Sequence, residues 1–438
     1  MKAIRIGICA LVAFAVVAFG GVEPSGKAIL EIGAAILLVW WAILVLRERV
    51  AEIRWNWLYL PLAGLGACGI AQYVLGLSVY PYLTKFDLLL WSSYFLLAFL
   101  AVQAFRTVEQ AKQFVWFLAT LAFAVSLFAI IQHFTFNGKL YWFVKLPQGD
   151  VPFGPYVNHN HFAGFLELAL PPGLALLLFS GVPREKRILL WLFVVASIGA
   201  LLLSASRGGI LGFLFGFLVL LVFAGLFAKR RYAGAIAGLV VLLSLGAIVW
   251  LGAHHTIERF EKMTVASESG PDGRLTFYQG ALRIIRANPW LGTGVGTFET
   301  IYPRYETEYS GDVIVNHAHD DYLELLADTG LAGGFCIFLF IVLIYGRGLT
   351  NLRSSETRLE RAITAGSLAA CSALLLHSFV DFNFHIPSNA LIFLLLASVA
   401  TSRMQESQET RRPAREDDDA EAETLRRAVL HGHVPIPQ

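Results

Sequence analysis

Long apolar runs separated by short polar segments dominate the chain from residue 3 to residue 402. A helix needs about 20 consecutive apolar residues to cross the hydrocarbon core of a bilayer. The pattern therefore predicts an all-α polytopic membrane protein with about twelve transmembrane helices. The predicted spans are 3–21, 28–46, 57–77, 86–105, 113–133, 160–180, 188–204, 207–228, 232–253, 320–345, 362–380 and 388–402.

Composition agrees with this pattern. The 438 residues are 56% hydrophobic and only 15% charged, and the mean hydropathy is +0.62, well above that of soluble proteins. The four cysteines all fall inside predicted spans and lack metal-ligand spacing, so we expect them to act as small packing residues. The formal charge of +2 says little about partners, and the distribution of positive charge says more.

The basic residues are concentrated in alternate loops. If the N-terminus is cytoplasmic, most of the 34 lysines and arginines fall in inner segments, as the positive-inside rule requires. The alternation holds at each short loop, which supports both the span count and the direction. We therefore predict a multi-pass protein of the bacterial inner membrane, with both termini in the cytoplasm.

Two outer segments are long, at roughly 134–159 and 254–316, and the second is too long for a passive connector. Residues 1–403, including this outer loop, are predicted to form one membrane domain, and the charged tail 404–438 is predicted to be disordered in the cytoplasm. Inside the outer loop, apolar residues at helical spacing follow Asp272-Gly-Arg274. Arg274 would lie in the first turn, where free backbone N–H groups and a guanidinium suit phosphate. Arg283 lies on another face, suited equally to substrate or to lipid headgroups.

The segment Ser204-Ala-Ser-Arg207-Gly-Gly209 lies between two predicted spans. The turn is short, so Arg207 is predicted near the outer interface, with glycines that allow close backbone approach. One interpretation is an arginine that reaches toward lipid headgroups at a helix end. The neighbouring serines and paired glycines favour anion binding instead.

A second polar cluster, Asn316-His-Ala-His319-Asp-Asp-Tyr-Leu-Glu324, ends the long loop. Neutral His317 or His319 is suited to accept a proton from an attacking hydroxyl near neutral pH, with Asp320, Asp321 or Glu324 as the carboxylate that orients the ring. An equal interpretation is that Asp320 or Asp321 caps the helix that follows. A metal site is the third interpretation, but Tyr322 stands where the common binuclear hydrolase motif has a further histidine, so no metal is expected.

Two further polar groups lie at the same predicted face. Asn158, Asn160 and the intramembrane Glu167 begin one span, and an intramembrane carboxylate is costly unless it is paired or faces a cavity. The segment from His377 through Asp381 to Asn389 forms an outer turn. Four polar clusters converging on one face predict a single site. The glycine-rich run 292–296 follows no strand and predicts a tight turn rather than a dinucleotide site.

In their order and spacing these segments resemble the O-antigen ligase superfamily, which includes O-antigen polymerases and O-linked oligosaccharyltransferases. The matching pieces are Asn158–Pro171, Ser204–Gly209, Arg274 with Asn288–Gly296, and His317–Gly330. The family pattern usually has asparagine directly after the second histidine, whereas this chain has Asp320, so the local hydrogen bonding differs.

The resemblance implies a GT-C-like membrane enzyme that is metal-independent, has no cofactor and inverts the sugar configuration. Its donor would be a glycan on undecaprenyl diphosphate, and its acceptor would be lipid A–core or a growing glycan. Arg207 and Arg274 would hold the diphosphate, and His319, or else His317, would be the base. Supporting roles are expected for Asn158, Asn160, Glu167, Asp320, Asp381 and Arg283.

Other functions remain open at this stage. A polymerase would use the same donor, and the motifs do not separate it from a ligase. A transporter of lipid-linked glycan would explain the spans, but it expects charged groups along a path through the bilayer rather than at one face. A non-catalytic scaffold would leave Arg207, Glu167 and Asp381 without a reason. Membrane lipids are expected partners and nucleic acid is not.

Overall fold

The computed structural model describes residues 1–47, 52–146, 151–179, 182–227, 271–306 and 314–405, and these residues form helices and turns without a β-sheet. Short 3₁₀ turns lie at Phe19–Gly21, Tyr302–Arg304 and Asn383–His385. The helices are α1 Lys2–Val17, α2 Pro24–Leu46, α3 Tyr59–Val74, α4 Pro81–Ala104, α5 Val108–Phe134, α6 His159–Phe179, α7 Arg184–Leu203, α8 Arg207–Phe227, α9 Pro271–Ala287, α10 Phe298–Ile301, α11 Asp321–Ser354, α12 Arg358–His377 and α13 Pro387–Thr401.

Among the described helices, eight are long and apolar enough to cross a membrane, namely α2, α4, α5, α6, α7, α8, α11 and α12. Three more predicted spans coincide with the shorter helices α1, α3 and α13, which have 16, 16 and 15 residues. The predicted span 232–253 lies outside the described residues, as do 254–270 and 307–313 of the outer loop and 406–438 of the tail. The all-helical membrane architecture is confirmed, and the count of twelve stays a prediction.

Helices α6, α12 and α13 form the centre of the bundle. Every α6 residue from His161 to Leu176 is buried, and α12 packs along both α6 and α8. The pair Pro171–Pro172 lies inside α6. Gly366 of α12 faces these prolines, and a methyl group there would come within 2.6 Å of Pro172 Cα. Close helix packing at small residues is the usual way that membrane helices associate.

Helix α11 is interrupted at Gly330, where the sequence predicted one continuous span. Gly330 has φ 62° and ψ −163°, a conformation that only glycine adopts readily. The freed backbone donors are satisfied by the preceding loop, since Leu331 N–H donates to Pro289 O at 2.8 Å and Ala332 N–H donates to Trp290 O at 3.1 Å. The Gly292–Gly296 turn packs against the same break, since Gly294 N–H donates to Asp328 O at 3.0 Å, so this part of the long loop is anchored to the bundle.

The two ends of the bundle differ in chemistry. At one end, the arginine-rich end, Arg54 donates to the backbone carbonyl oxygens of Arg106 and Arg403. Helix α12 begins near that end, where Thr357 caps it, and finishes at His377 at the opposite end. There the starts of α6, α8 and α11 meet the end of α12 and the segment 378–386. Four helix termini therefore meet at this opposite end, which is named the site end.

Candidate active site

The segment 378–386, between α12 and α13, carries the central carboxylate of the site. Asp381 is fully buried, and its Oδ1 accepts a hydrogen bond from the Phe382 N–H at 2.9 Å. Helix α11 fixes this segment from one side, because Asp321 N–H donates to Ser378 O at 2.9 Å. On the other side, a side chain at Gly164 of α6 would collide with Asn383, so glycine is required for the close approach.

Three histidines surround Asp381, and together these four residues are named the His–Asp cluster. The distance from Asp381 Oδ1 is 3.6 Å to His319 Nδ1 and 3.9 Å to His161 Nε2, while Asp381 Oδ2 lies 3.9 Å from His377 Nε2. These separations are electrostatic contacts rather than hydrogen bonds. Burial alone would raise the pKa of Asp381, but the neighbouring imidazoles, His319 first, outweigh it and lower that pKa.

His319 is the most accessible member of the cluster, with 30% of its side chain exposed. Its backbone has φ 54°, which is uncommon outside glycine and is a frequent mark of functional sites. Helix α9 supports this conformation, because the Tyr278 hydroxyl donates to His319 O at 3.2 Å and the Phe277 ring stacks over the imidazole. Helix α9 is the amphipathic helix that the sequence predicts after Asp272-Gly-Arg274, and it covers His319.

Phe382 lies among the histidines as an apolar wedge. Its ring centroid is 4.1 Å from that of His317, 4.7 Å from that of His161 and 4.9 Å from that of His319. These rings limit how each imidazole can rotate. An aromatic surface beside a polar cluster also offers a packing face for a bound substrate.

His317 belongs to a second, adjoining group of residues, named the Glu324 network, which also contains Asp321 and His385. Glu324 Oε1 lies 2.8 Å from His317 Nδ1 and 3.2 Å from His385 Nε2. His385 Nδ1 is 3.0 Å from Asp321 Oδ1. Partial burial disfavours the charged form of His385, but the Glu324 and Asp321 carboxylates outweigh it and raise the pKa of His385 to about 10. His385 is therefore a fixed cation at neutral pH.

The Glu324 network also has the residue types of a metal site. His317, Glu324 and His385 each bring a possible ligand atom, and these atoms lie within 4.8 Å of one another. Histidine and carboxylate are common zinc ligands. The same atoms are joined by hydrogen bonds, and Glu324 Oε2 accepts from Ala318 N–H at 2.8 Å. Because these contacts already satisfy the carboxylate, we interpret the group as an ion-pair network.

Asp320 caps α11, as one of the two sequence interpretations predicted. Its Oδ1 accepts from the N–H groups of Tyr322 and Leu323 at 2.9 and 3.0 Å. Burial raises the pKa of Asp320, although the hydrogen bonds from these two N–H groups act to lower that pKa. Asp320 therefore fixes the start of α11 directly after His319, and the carboxylate that faces His319 is Asp381.

The N-terminal ends of α6 and α8 are joined through the predicted asparagines. Asn158 Oδ1 accepts from Asn160 N–H at 2.8 Å, and the Ser206 hydroxyl donates to Asn160 Oδ1 at 2.7 Å. Ser206 Oγ in turn accepts from Gly209 N–H at 3.1 Å and so caps α8. Ala205, at φ 54°, permits the sharp reversal before it. This turn presents Arg207 at the first position of α8.

The three predicted arginines are placed differently. Arg207 is exposed, and its guanidinium has no hydrogen bond or ion pair with any residue in the described ranges. Arg274 of α9 donates to Val380 O at 3.0 Å, and Val380 is the residue that precedes Asp381, so this contact brings α9 to the segment that carries Asp381. Arg283 is exposed farther along α9 and makes no polar contact with the His–Asp cluster in the described part. The structure thus gathers Arg207 and Arg274 at the site end and leaves Arg283 apart.

Sequence reasoning missed several residues of this site. It did not assign roles to His161 and His377, which complete the His–Asp cluster, or to Phe382 and His385. The polar segment 377–389 was the available signal, because it was predicted at the same face. The contacts of the Phe382 ring with the histidine rings could not be predicted from the sequence.

Part of the chain is similar to a known protein family. Residues 192–338 match the family described as O-antigen ligase. The matched region runs from α7 to α11 and so includes Arg207, Arg274, His317 and His319. No curated protein matches the chain.

Proposed function

We propose that the chain is a membrane glycosyltransferase of the O-antigen ligase type, because residues 192–338 match the O-antigen ligase family, whose members are membrane glycosyltransferase-like enzymes. We propose that it transfers a glycan from undecaprenyl diphosphate to an acceptor hydroxyl, with inversion at the anomeric carbon. The proposed acceptor is lipid A–core, as for a ligase. The observation that carries the proposal is the accessible His319 beside the buried Asp381, at the same end as Arg207 and Arg274.

His319 is the proposed general base. Its Nδ1 faces Asp381, which leaves Nε2 to accept the proton of the acceptor hydroxyl. An ionised carboxylate beside the ring stabilises the imidazolium that forms, and the lowered pKa of Asp381 keeps that carboxylate ionised. The distance of 3.6 Å is long for a hydrogen bond, but catalytic contacts often tighten only when substrate is bound. His317 is the second candidate, since Glu324 orients its Nδ1 in the same manner.

Arg207 and Arg274 are proposed to hold the diphosphate of the donor. As the anomeric C–O bond breaks, negative charge grows on the leaving diphosphate, and preorganised cations stabilise it electrostatically. Arg207 is free of protein partners in the described part, and Arg274 uses one Nη to hold Val380 O, which leaves further donors of its fork. Asn158 and Asn160 support Arg207 by fixing the turn before α8. No metal or cofactor is required in this proposal.

The site is proposed to face the periplasm. The opposite end of the bundle carries Arg54, Arg106 and Arg403, and the positive-inside rule places such an end in the cytoplasm. This orientation would bring the site to the periplasmic face of the inner membrane. The proposed reaction needs no nucleotide there, because the diphosphate linkage of the donor is already activated.

A polymerase that extends glycan on the same donor is the second candidate within the family. A transporter of lipid-linked glycan is less favoured, because the buried histidines and carboxylates of the described part gather toward one end of the helices. The test is expression in cells that make the lipid-linked glycan but lack their own ligase and polymerase. Glycan on lipid A–core with unchanged repeat number supports the ligase. Longer glycan on the lipid carrier indicates the polymerase, and no new product argues against both.

The arginine assignment has a matched control on the same helix. Arg274→Ala and Arg207→Ala should each lower transfer by about 10²–10³-fold, the usual effect of removing one electrostatic donor to a developing charge. Arg283→Ala, on the exposed part of α9, should keep most activity. Near-normal product from both Arg207→Ala and Arg274→Ala would overturn the assignment, provided that all three variants reach the membrane in equal amounts.

A further inference from the structure

Glu167 and His377 form a buried pair that the proposed reaction does not yet use. Glu167 of α6 is 0% exposed, and its Oε1 lies 2.7 Å from His377 Nδ1 at the end of α12. A carboxylate inside a membrane bundle is expensive, and apolar side chains of similar volume usually stabilise a core at least as well. A role in packing alone therefore does not explain the pair.

Helix α8 is shaped to accommodate the pair through its glycines. A methyl group at Gly208 would lie 2.6 Å from His377 Nε2, and one at Gly209 would lie 3.2 Å from Glu167 Oε1. At Gly212 a methyl group would overlap Glu167 Oε2 and approach Ala373 O at 2.9 Å. The glycines that follow Arg207 thus give the charged pair its space between α6, α8 and α12.

The pair continues into the His–Asp cluster. His377 Nε2 faces Asp381 Oδ2 at 3.9 Å, and Asp381 Oδ1 faces His319 Nδ1 at 3.6 Å. Carboxylate and imidazole therefore alternate from Glu167 to His319. Within the described part, Glu167 Oε2 and Asp381 Oδ2 have no hydrogen-bond partner although both are buried. An uncompensated buried carboxylate tends to take up a proton, and a cation between two carboxylates prevents this.

We propose that Glu167 and His377 are positioning residues that hold Asp381 as an anion directed at His319. This inference rests on the proposed function. In the reaction, the acceptor oxygen bonds to the anomeric carbon while the C–O bond to the diphosphate breaks and its electron pair leaves on the diphosphate. The acceptor proton moves to His319 Nε2, and Asp381 stabilises the resulting imidazolium. The proton then leaves to the released diphosphate or to water.

Other charged groups also face this chain of residues and belong in its pH dependence. His161 lies 3.9 Å from Asp381 on α6, and His159 is tied through Nδ1 to Ser204 O at 2.8 Å. Asp321 approaches from α11, and Arg274 approaches from α9. All of these are unchanged in the variants below, so differences between variants report on Glu167 and His377.

The test is the pH profile of kcat/KM for purified protein with lipid-linked glycan and acceptor. Asp381→Asn removes the anion beside His319, which disfavours the imidazolium, so the acidic limb should move to lower pH. Glu167→Gln and His377→Gln should move that limb in the same direction and lower kcat by about 10–100-fold, the range found for residues that orient metal-bound histidines. Combining either with Asp381→Asn should add little further loss.

Glu31→Gln on α2 is the matched control, because it removes an intramembrane carboxylate outside the site and should leave the profile unchanged. Glu167→Gln is nearly isosteric, and unfolding curves for it and for His377→Gln identify any variant that fails to fold. An acidic limb that stays in place in both folded variants, while the wild type is active, overturns the inference and leaves the proposed function standing. A wild type without transfer activity overturns both.

Discussion

Replacing Gly212 by alanine probes the close contact between α8 and the buried Glu167. The added methyl group would overlap Glu167 Oε2 and lie 2.9 Å from both Glu167 Cδ and the Ala373 carbonyl oxygen. Contacts between a Cβ and a heavy atom are ordinary only from about 3.4 Å outward. Helix α6 or α12 must therefore move by about half an ångström, or the carboxylate must turn away from His377.

The expected loss is obtained by comparison with Gly225→Ala on the same helix, where a methyl group would meet no atom within 4 Å. Overpacking of this kind costs about 1–3 kcal/mol. The gain in helix propensity, about 1 kcal/mol in soluble hosts, is common to both variants and cancels in their difference. Gly212→Ala should therefore be less stable than Gly225→Ala by about 1–3 kcal/mol, and it should lose transfer activity.

Unfolding in mixed detergent micelles, followed with a thiol-reactive dye, is a suitable assay. Cys371 on α12 is fully buried two residues before Ala373, whereas the other three cysteines are partly exposed, so the delayed labelling of Cys371 reports when the packing around α12 opens. Equal unfolding midpoints and equal transfer rates for the two variants would refute the packing argument. A lower midpoint for Gly225→Ala than for Gly212→Ala would refute it as well.

Three further predictions concern the cap, the fixed cation and metal. Asp320→Ala should cost about 1 kcal/mol of unfolding free energy while Asp320→Asn should keep the α11 cap, as unfolding midpoints can show. The pKa of His385 is raised from 6.5 to about 10, so its contribution to stability is complete below about pH 6.5 and is lost as the pH rises through 10. His385→Asn should remove that part of the pH dependence of the unfolding midpoint. A midpoint with the same pH dependence in this variant would contradict the prediction. Transfer should survive metal removal by a chelator, and activity that returns only with added Zn²⁺ would show that the Glu324 network is a metal site.

Hydrophobic patterning was enough to predict most of the membrane helices. Eleven of the predicted spans coincide with helices in the described part, because an uninterrupted apolar run in lipid must satisfy its own backbone hydrogen bonds. The break at Gly330 was missed. It depends on carbonyl groups at Pro289 and Trp290, about forty residues away from it in sequence, and a hydropathy pattern contains no such information.

The site was predicted in part. Arg207, His319, Glu167 and Asp381 could be chosen from the sequence because they lie within or beside apolar runs. Polar side chains are costly at such positions and are therefore candidates for function. Their partners depended on how helices cross. Nothing in the spacing along the chain brings Glu167 to His377, 210 positions later, or chooses between Asp320 and Asp381 as the carboxylate that faces His319.

Transfer by the purified protein in lipid vesicles that contain undecaprenyl-diphosphate-linked glycan and lipid A–core tests the proposed reaction itself. One undecaprenyl diphosphate should be released for each glycan joined to the acceptor. The transfer rate should fall by about 10²–10⁴-fold in His319→Asn, a variant chosen because asparagine tolerates the φ of 54° at this position. No release with the wild type, or equal rates for the wild type and His319→Asn, would contradict the proposed reaction.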